Sequence, residues 1–245
     1  MSEEYSRQRL LVRATELVPQ PLKSAIAQLA IVHARKRRSS RVFYFRGREY
    51  EYFFHPYNLA WRNERTVELP IALQMLEDCS GETLEVGNVL PHYVDIQHDV
   101  LDKYEVARGV INEDASSYRP DKRYALILSM STLEHMGWDE HPRDIDKPAL
   151  AVANLSSLLA PGGTLVATLP VGQNPELERL IERGEISFTE LYALRRVSRN
   201  NDWEEADYES VKGLCYSNRS YRAKAIIVGL IREGQVEGAS DPHAR

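Results

Sequence analysis

At 245 residues and a formal net charge of −5, with 43% hydrophobic and 27% charged residues, the chain has the make-up of one globular body with room for an appendage. The negative balance argues against general nucleic-acid binding, and no apolar run reaches the length of a membrane span. Two cysteines, Cys79 and Cys215, make neither a disulfide framework nor a CxxC metal spacing, and the start lacks a basic-then-apolar signal layout, so a reducing, cytoplasmic setting is expected.

Residues 5–36 read as helical with a break at Pro19-Gln20-Pro21. Leu10, Leu11, Ala14, Leu17 and Val18 share a face before the break; Ala25, Ile26, Leu29, Ala30 and Val32 follow it. The stretch ends in the basic cluster His33-Ala34-Arg35-Lys36-Arg37-Arg38. Residues 1–50 hold eleven Lys/Arg against four Asp/Glu, and the remainder twenty against thirty-two. The cluster reads either as solvated cations complementing a helix end or as a contact for an anionic partner. Residues 42–54 alternate aromatic and charged side chains around Arg46-Gly47, a hairpin pattern. The cluster Tyr57, Asn58, Trp61, Arg62, Asn63, Glu64, Arg65 and Glu68 is polar and aromatic, as a solvated helix start or the roof of a ligand would be. Pro70 places the start of the following helix near itself.

Short strands are expected at 83–86, ahead of Asp102, and at 110–111 ahead of Glu113-Asp114. Residues 124–131 form the clearest central strand, apolar on both faces. A helix at 147–159 stops at Pro161-Gly162-Gly163. A strand at 164–170, a helix at 175–183 and strands at 191–197 and 225–231 complete the series. The expected organisation is an N-terminal helical and hairpin extension (1–60), an α/β body with a mostly parallel sheet (61–232) and a polar tail (233–245). Too few residues separate Gly87 from Asp99, or Lys103 from Gly109, for full crossover helices. One or both of the first helices must shrink to a turn.

Thr83-Leu84-Glu85-Val86 running into Gly87 is the form in which open α/β sheets build a ligand crevice. The loop carries one glycine where a pyrophosphate loop carries three; Walker and Gly-x-Ser-x-Gly patterns are also absent. Strand ends then follow in order: Glu85-x-Gly87, Asp102, Glu113-Asp114-Ala115, Ser131-Thr132-Leu133-Glu134-His135, and Leu158-Leu159-Ala160-Pro161-Gly162-Gly163-Thr164-Leu165. Over residues 64–231 this succession resembles the class I S-adenosylmethionine-dependent methyltransferases. The resemblance implies a Rossmann-like, mostly parallel seven-stranded sheet with helices on both faces. It implies S-adenosylmethionine as cofactor, with Glu85, Gly87 and Asn88 against its methionine part, Asp102 on the ribose hydroxyls, Asp114 and the Ala115 backbone on the adenine edge, and Ser131 completing the set. Asp95 is the alternative ribose acid. A cofactor without phosphates suits a loop with one glycine.

Methyl transfer is an in-line displacement served mostly by alignment, and a hydroxyl or amine acceptor also needs a general base. His135 is the first candidate; His92 and Tyr93 follow. The run His135, Asp139, Glu140, His141, Asp144 and Asp146 lacks a helical His-x-x-x-His register, so no metal is expected and the run reads as a mobile acidic rim. Tyr57, Trp61, Tyr192, Arg195, Arg196, Asn200, Asn201 and Trp203 are candidate contacts for a small, polar, sugar-like acceptor. The expected function is a methyltransferase acting on such a molecule. The alternative is a catalytically silent domain of this fold serving as a cofactor- or partner-binding scaffold. A Rossmann oxidoreductase is disfavoured by the missing glycines.

Overall fold

The computed structural model describes residues 20–216 and 222–234. The apolar face proposed between Leu10 and Val18 and most of the polar tail lie outside them. A helix α1 (Gln20–Arg37) leads into a hairpin, β1 (Val42–Phe45) and β2 (Arg48–Glu51). A 3-10 turn at Tyr57–Arg62 precedes helix α2 (Arg65–Asp78). Then come β3 (Thr83–Val86), β4 (Asp99–Leu101), β5 (Val110–Ile111), β6 (Tyr124–Met130), α3 (Lys147–Ser157), β7 (Leu159–Pro170), α4 (Pro175–Glu182), β8 (Glu190–Arg196), β9 (Trp203–Ala206), the short α5 (Tyr208–Val211) and β10 (Ala225–Arg232). Among the described residues no helix is long and apolar enough to cross a membrane.

The main sheet has eight strands in the order β5-β4-β3-β6-β7-β10-β8-β9. Strands β3 to β7 pair in parallel, and β10 lies antiparallel between β7 and β8. The order runs outward from β3 through β4 to β5, then restarts on the other side of β3 with β6. That reversal is the switch point at which doubly wound sheets open a crevice beyond the carboxyl ends of their strands. Antiparallel pairing with β10 makes β8 parallel to β7, so Arg196 leaves the sheet at the same edge as Val86 and Met130. The sheet is Rossmann-like, with one strand more than the seven expected. The extra strand, β9, returns along β8 with Trp203 opposite Arg196, a pairing that no alternation in Trp203–Ala206 announces.

Alternate residues of β6 feed two cores. Ile127 joins Leu84, Leu165 and Ile227 with Ala151 and Leu155 of α3 and Leu177 of α4. Leu126, Leu128 and Met130 join Val67, Leu69 and Ile71 of α2 with Phe43 and Phe45 of the hairpin. The hairpin thus shares a core with the sheet.

Helix α2 starts five residues before Pro70 and runs through it, against the expectation that it would begin there. Proline lacks the N–H that would bond the carbonyl four residues back. Here that carbonyl, Thr66 O, accepts from Phe53 N instead at 2.9 Å, so the sheetward end of the hairpin supplies what the proline omits. The helix at Lys147 ends at Ser157, and β7 begins at Leu159, taking Pro161-Gly162-Gly163 into an irregular start opposite Tyr124. The first crossover is reduced to the 3-10 turn Leu90–His92, as the spacing requires.

Candidate active site

Strand β3 is buried along its whole length and delivers Gly87 to the switch point. Gly87 has φ +89°, and a Cβ there would stand 2.2 Å from Thr132 Oγ1. Only glycine allows both the left-handed backbone and the contact between the exits of β3 and β6. The loop that follows is held almost entirely through its own amides. Gly87 N donates to Leu101 O at 2.8 Å and Asn88 N to Asp102 Oδ2 at 3.0 Å. Val89 N and Leu90 N donate to Glu85 Oε1 at 2.9 and 2.7 Å. Glu85 Oε2 lies 2.9 Å from His98 Nε2. Glu85 is fully buried and shapes the loop from behind; it is not among the residues facing the crevice.

A cavity of about 430 Å³ opens over the carboxyl ends of β3 to β6. Of the residues expected to hold a cofactor, Gly87, Asn88, Asp102, Asp114, Ala115 and Ser131 all line it, together with His135. Asp95 instead borders a depression beside Glu82, Thr83 and Asp99 at the amino ends of the strands, so of the two candidate ribose acids only Asp102 lines the crevice. Besides Asn88 N, Asp102 accepts from Tyr104 N and Glu105 N at 2.9 and 2.8 Å. A carboxylate offers about four acceptor positions, so roughly one remains. Asn88 Oδ1 is buried without a partner. Ser131 adopts φ 44°, and its hydroxyl donates to Glu68 Oε1 at 2.5 Å. The strained turn is thereby tied to the buried helix α2.

The far wall is an ion-pair network. Asp114 Oδ2 meets Lys147 Nζ at 2.7 Å and Lys103 Nζ at 3.0 Å; Glu140 Oε1 meets the same two ammoniums at 2.7 and 3.1 Å. Burial raises both acids, but hydrogen bonding to the lysines outweighs it, holding Asp114 well below the usual carboxylate range and Glu140 at about 2. The acidic loop does lie at the crevice rim, but through Glu140 it is tied to the first turn of α3. Among the described residues no group of three or more His, Cys, Asp or Glu is placed to hold a metal.

His135 Nδ1 lies 2.6 Å from Asp139 Oδ2, and Nε2 lies 3.1 Å from Gln173 Nε2. A carboxylate on Nδ1 favours the tautomer with its proton there and leaves Nε2 as the acceptor. Asp139 is thus the orienting partner that the sequence reading missed, four residues beyond the histidine. The other two proposed bases are placed differently. His92 stacks on Tyr57 with centroids 4.5 Å apart and pairs with Glu105 at 3.0 Å. Tyr93 packs among Phe53, His55 and Tyr57, and burial pushes its hydroxyl up to about 12. Neither His92 nor Tyr93 lines the cavity; they build the aromatic wall behind it.

The polar stretch before α2 divides: Tyr57, Asn58 and Arg62 are exposed, Trp61 and Arg62 line a second cavity, and the rest turns inward. Glu64, Thr66 and Glu68 are buried. Arg65 Nη1 donates to Glu68 Oε2 at 2.9 Å and to Met130 O at 3.1 Å, and Thr168 Oγ1 donates to Glu68 Oε1 at 2.7 Å. Next to His135, Glu134 is buried with neither carboxyl oxygen partnered. Burial raises its pKa well above the usual range, with the nearby Glu68 adding to the rise.

The residues proposed for an acceptor divide. Trp61, Arg196, Asn200 and Asn201 converge on this second cavity, of about 280 Å³, with Arg37, Arg62 and Arg222. Tyr192 donates to Glu190 at 2.5 Å, and Arg195 is exposed on β8. Trp203 is a core residue whose Nε1 donates to Asn201 Oδ1 at 2.9 Å; the unforeseen pairing of β9 removes it from any acceptor site.

No protein-family model and no curated protein matches the chain. Among solved structures it is similar to the N-methyltransferase NodS from Bradyrhizobium japonicum in complex with S-adenosyl-L-homocysteine. That similarity is at 14% identity over 72% of this chain and 91% of that one, with a TM-score of 0.45. It is similar to a possible histamine N-methyltransferase from Thermotoga maritima at 16% identity over 71% and 94% of the two chains, TM-score 0.40. A third similarity is to the CcbJ methyltransferase from Streptomyces caelestis, at 13% identity over 66% and 88%, TM-score 0.36.

Proposed function

We propose that the chain is a methyltransferase that holds S-adenosylmethionine in the crevice beyond β3 to β6 and passes its methyl group to a small polar acceptor. The observation that carries this reading is the state of the opening loop. Its four successive amides, Gly87 to Leu90, are all spent on Leu101 O, Asp102 and Glu85. A pyrophosphate needs such amides free; a cofactor with no phosphate does not. What the loop leaves available is complementary to a cation and to hydroxyls: the unpartnered Asn88 Oδ1 and the remaining acceptor position on Asp102. Val86, Leu101, Ala115 and Met136 supply apolar surface to the same cavity, whose volume lies within the usual range for small-molecule sites.

Bound there, the cofactor would supply a methyl group on a positively charged sulfur. Asp102 would accept from a ribose hydroxyl, Asp114 and the Ala115 backbone would face the adenine edge, and Asn88 would meet the methionine ammonium. His135 Nε2, oriented by Asp139, would take the proton of the acceptor's hydroxyl or amine, and the Asp139 carboxylate would stabilise the imidazolium that forms.

Methyl-labelled cofactor offered with a panel of amino sugars, sugar phosphates and small amines tests the reading. Label should move to one acceptor class with one demethylated cofactor released per transfer. Replacing His135 by Ala should slow transfer about 100-fold or more while leaving cofactor affinity near wild type. Cofactor binding without transfer to any acceptor would favour a scaffold instead.

A further inference from the structure

The second cavity gathers guanidinium groups from five separate places in the chain. Arg37 ends α1, Arg62 ends the turn before α2, Arg196 ends β8, Arg199 lies in the following loop, and Arg222 precedes β10. The arginine ion pairs among the described residues are formed by Arg46, Arg48, Arg65, Arg179, Arg183 and Arg232; none of the five belongs to that set. The carboxylates nearest Arg196 are already engaged. Glu64 Oε2 accepts from Ala223 N at 3.1 Å, and Asp202 accepts from Ser39 N and Ser198 Oγ. Burial first, then the neighbouring Arg222, lowers Arg196 to about 10 against the opposing pull of Glu64 and Asp202, and Arg222 is lowered by burial and by Arg62. Converging cations that repel one another cost stability unless something anionic joins them.

The surroundings are built to hold this arrangement. Arg196 Nε donates to Ser198 O at 3.2 Å, and Asn200 Nδ2 donates to Arg37 O at 2.9 Å, tying the loop after β8 to α1. Asn201, with φ 71°, donates to Trp61 O and Asn63 O at 3.3 and 2.9 Å. Trp61 itself lines the cavity, and its indole Nε1 is buried without a partner. A donor left over beside guanidiniums that form no ion pair among the described residues calls for an acceptor-rich ligand. Arginine forks match the oxygens of phosphate and sulfate two at a time.

The cavity also lies where an acceptor would reach it. Arg196 leaves the sheet at the same edge as Met130, three strand positions away across β7 and β10. At the usual strand spacing that is roughly 15 Å, within the span of a molecule carrying a charged group at one end and a nucleophile at the other. We propose that the Arg62–Arg196–Arg222 cavity binds a phosphate or sulfate ester of the methyl acceptor. The anion site stands on its own geometry; its assignment to the acceptor rests on the methyltransferase reading above. The concave shape and small volume favour a compact anion over a polynucleotide.

Calorimetric titration of the full chain with pyrophosphate and with sulfate, at fixed ionic strength, tests the site. S-adenosylhomocysteine titrated separately reports on the crevice. Wild type should bind pyrophosphate saturably at one site. Arg196→Gln with Arg222→Gln should weaken that binding by at least about 30-fold, as expected for losing two charged hydrogen-bond donors, with S-adenosylhomocysteine affinity unchanged. Arg196→Lys should recover part of the loss. No saturable binding of either anion by wild type, or equal binding by the double variant, overturns the anion site. Tighter, strongly salt-dependent binding of a single-stranded oligonucleotide overturns it in favour of a nucleic acid. Pyrophosphate that binds but fails to compete with the acceptor in labelled transfer overturns the acceptor assignment and leaves a site for free anions. Anion binding without cofactor binding overturns the methyltransferase reading and leaves the anion site standing.

Discussion

Along one stretch of the sheet edge, Lys103 and Lys147 face Asp114 and Glu140 at 2.7–3.1 Å. Further along, Arg62, Arg196 and Arg222 face one another, with no carboxylate paired to them among the described residues. The first group completes a wall of the crevice and needs no ligand to be stable. The second is electrostatically incomplete. The difference separates residues that hold the fold in shape from residues that wait for something, and it can be broken or sharpened by substitution.

The largest effect should come from the carboxylate behind the loop. Replacing Glu85 by Ala strands Val89 N, Leu90 N and His98 in a buried place. It should cost about 3 kcal/mol in urea denaturation and abolish cofactor binding; a loss below 1 kcal/mol would show that the loop holds its shape without it. Gly87→Val puts a branched side chain against Thr132 at a positive φ, and should cost on the order of 2 kcal/mol with the crevice closed to ligand. Next in size is Glu140→Gln. Glu140 is depressed from its ordinary 4.5 to about 2. Its contribution to stability is therefore present above pH 4.5 and lost as pH falls towards 2. The variant should be less stable than wild type at pH 7, by under about 1 kcal/mol, and equal to it near pH 2. A gap that persists at pH 2 would assign the effect to packing instead. Smallest is the arginine pair. Arg196→Gln with Arg222→Gln should stay within about 0.5 kcal/mol of wild type, on the stabilising side at low salt, where repulsion is least screened. A large destabilisation would make these arginines structural and erase the contrast.

The strands were legible because their cores are short and apolar: β3, β6 and β10 fall where their apolar runs place them, and β7 does so from Thr164 onward but begins already at Leu159. The spacing between Gly87 and Asp99 announced the missing helix. Three features were hidden for physical reasons. Pro70 read as a helix start because its compensation, Phe53 N on Thr66 O, comes from a distant segment. β9 was missed because Trp203-Glu204-Glu205-Ala206 has no alternation and is a strand only by pairing with β8. Arg65 and Glu68 read as part of a solvated helix start or of a ligand's roof because charge usually means exposure, whereas here each satisfies the other in the interior.

The site was legible as a set of strand ends and less so as side-chain roles. Gly87, Asn88, Asp102, Asp114, Ala115, Ser131 and His135 do surround one cavity, since strand ends in a parallel sheet converge whatever their side chains do. Glu85, His92 and Tyr93 sit at equally suggestive positions in the chain, yet their side chains turn to loop amides, to Glu105 and to an aromatic cluster. Side-chain direction at a turn depends on what packs behind it, and no spacing rule carries that. The basic cluster at the end of α1 was visible from charge alone, but its partners Arg62, Arg196 and Arg222 are scattered through the chain.

The central claim is that the crevice accepts a phosphate-free adenosyl cofactor because its loop amides are already spent. Calorimetric titration with S-adenosylhomocysteine and, separately, with NADH tests this most directly. One molecule of the sulfur compound should bind per chain and NADH should not, and Asp102→Ala should weaken the former by about 10-fold or more through the lost ribose hydrogen bond. Binding of NADH with equal or greater affinity, or no binding of S-adenosylhomocysteine, would contradict it.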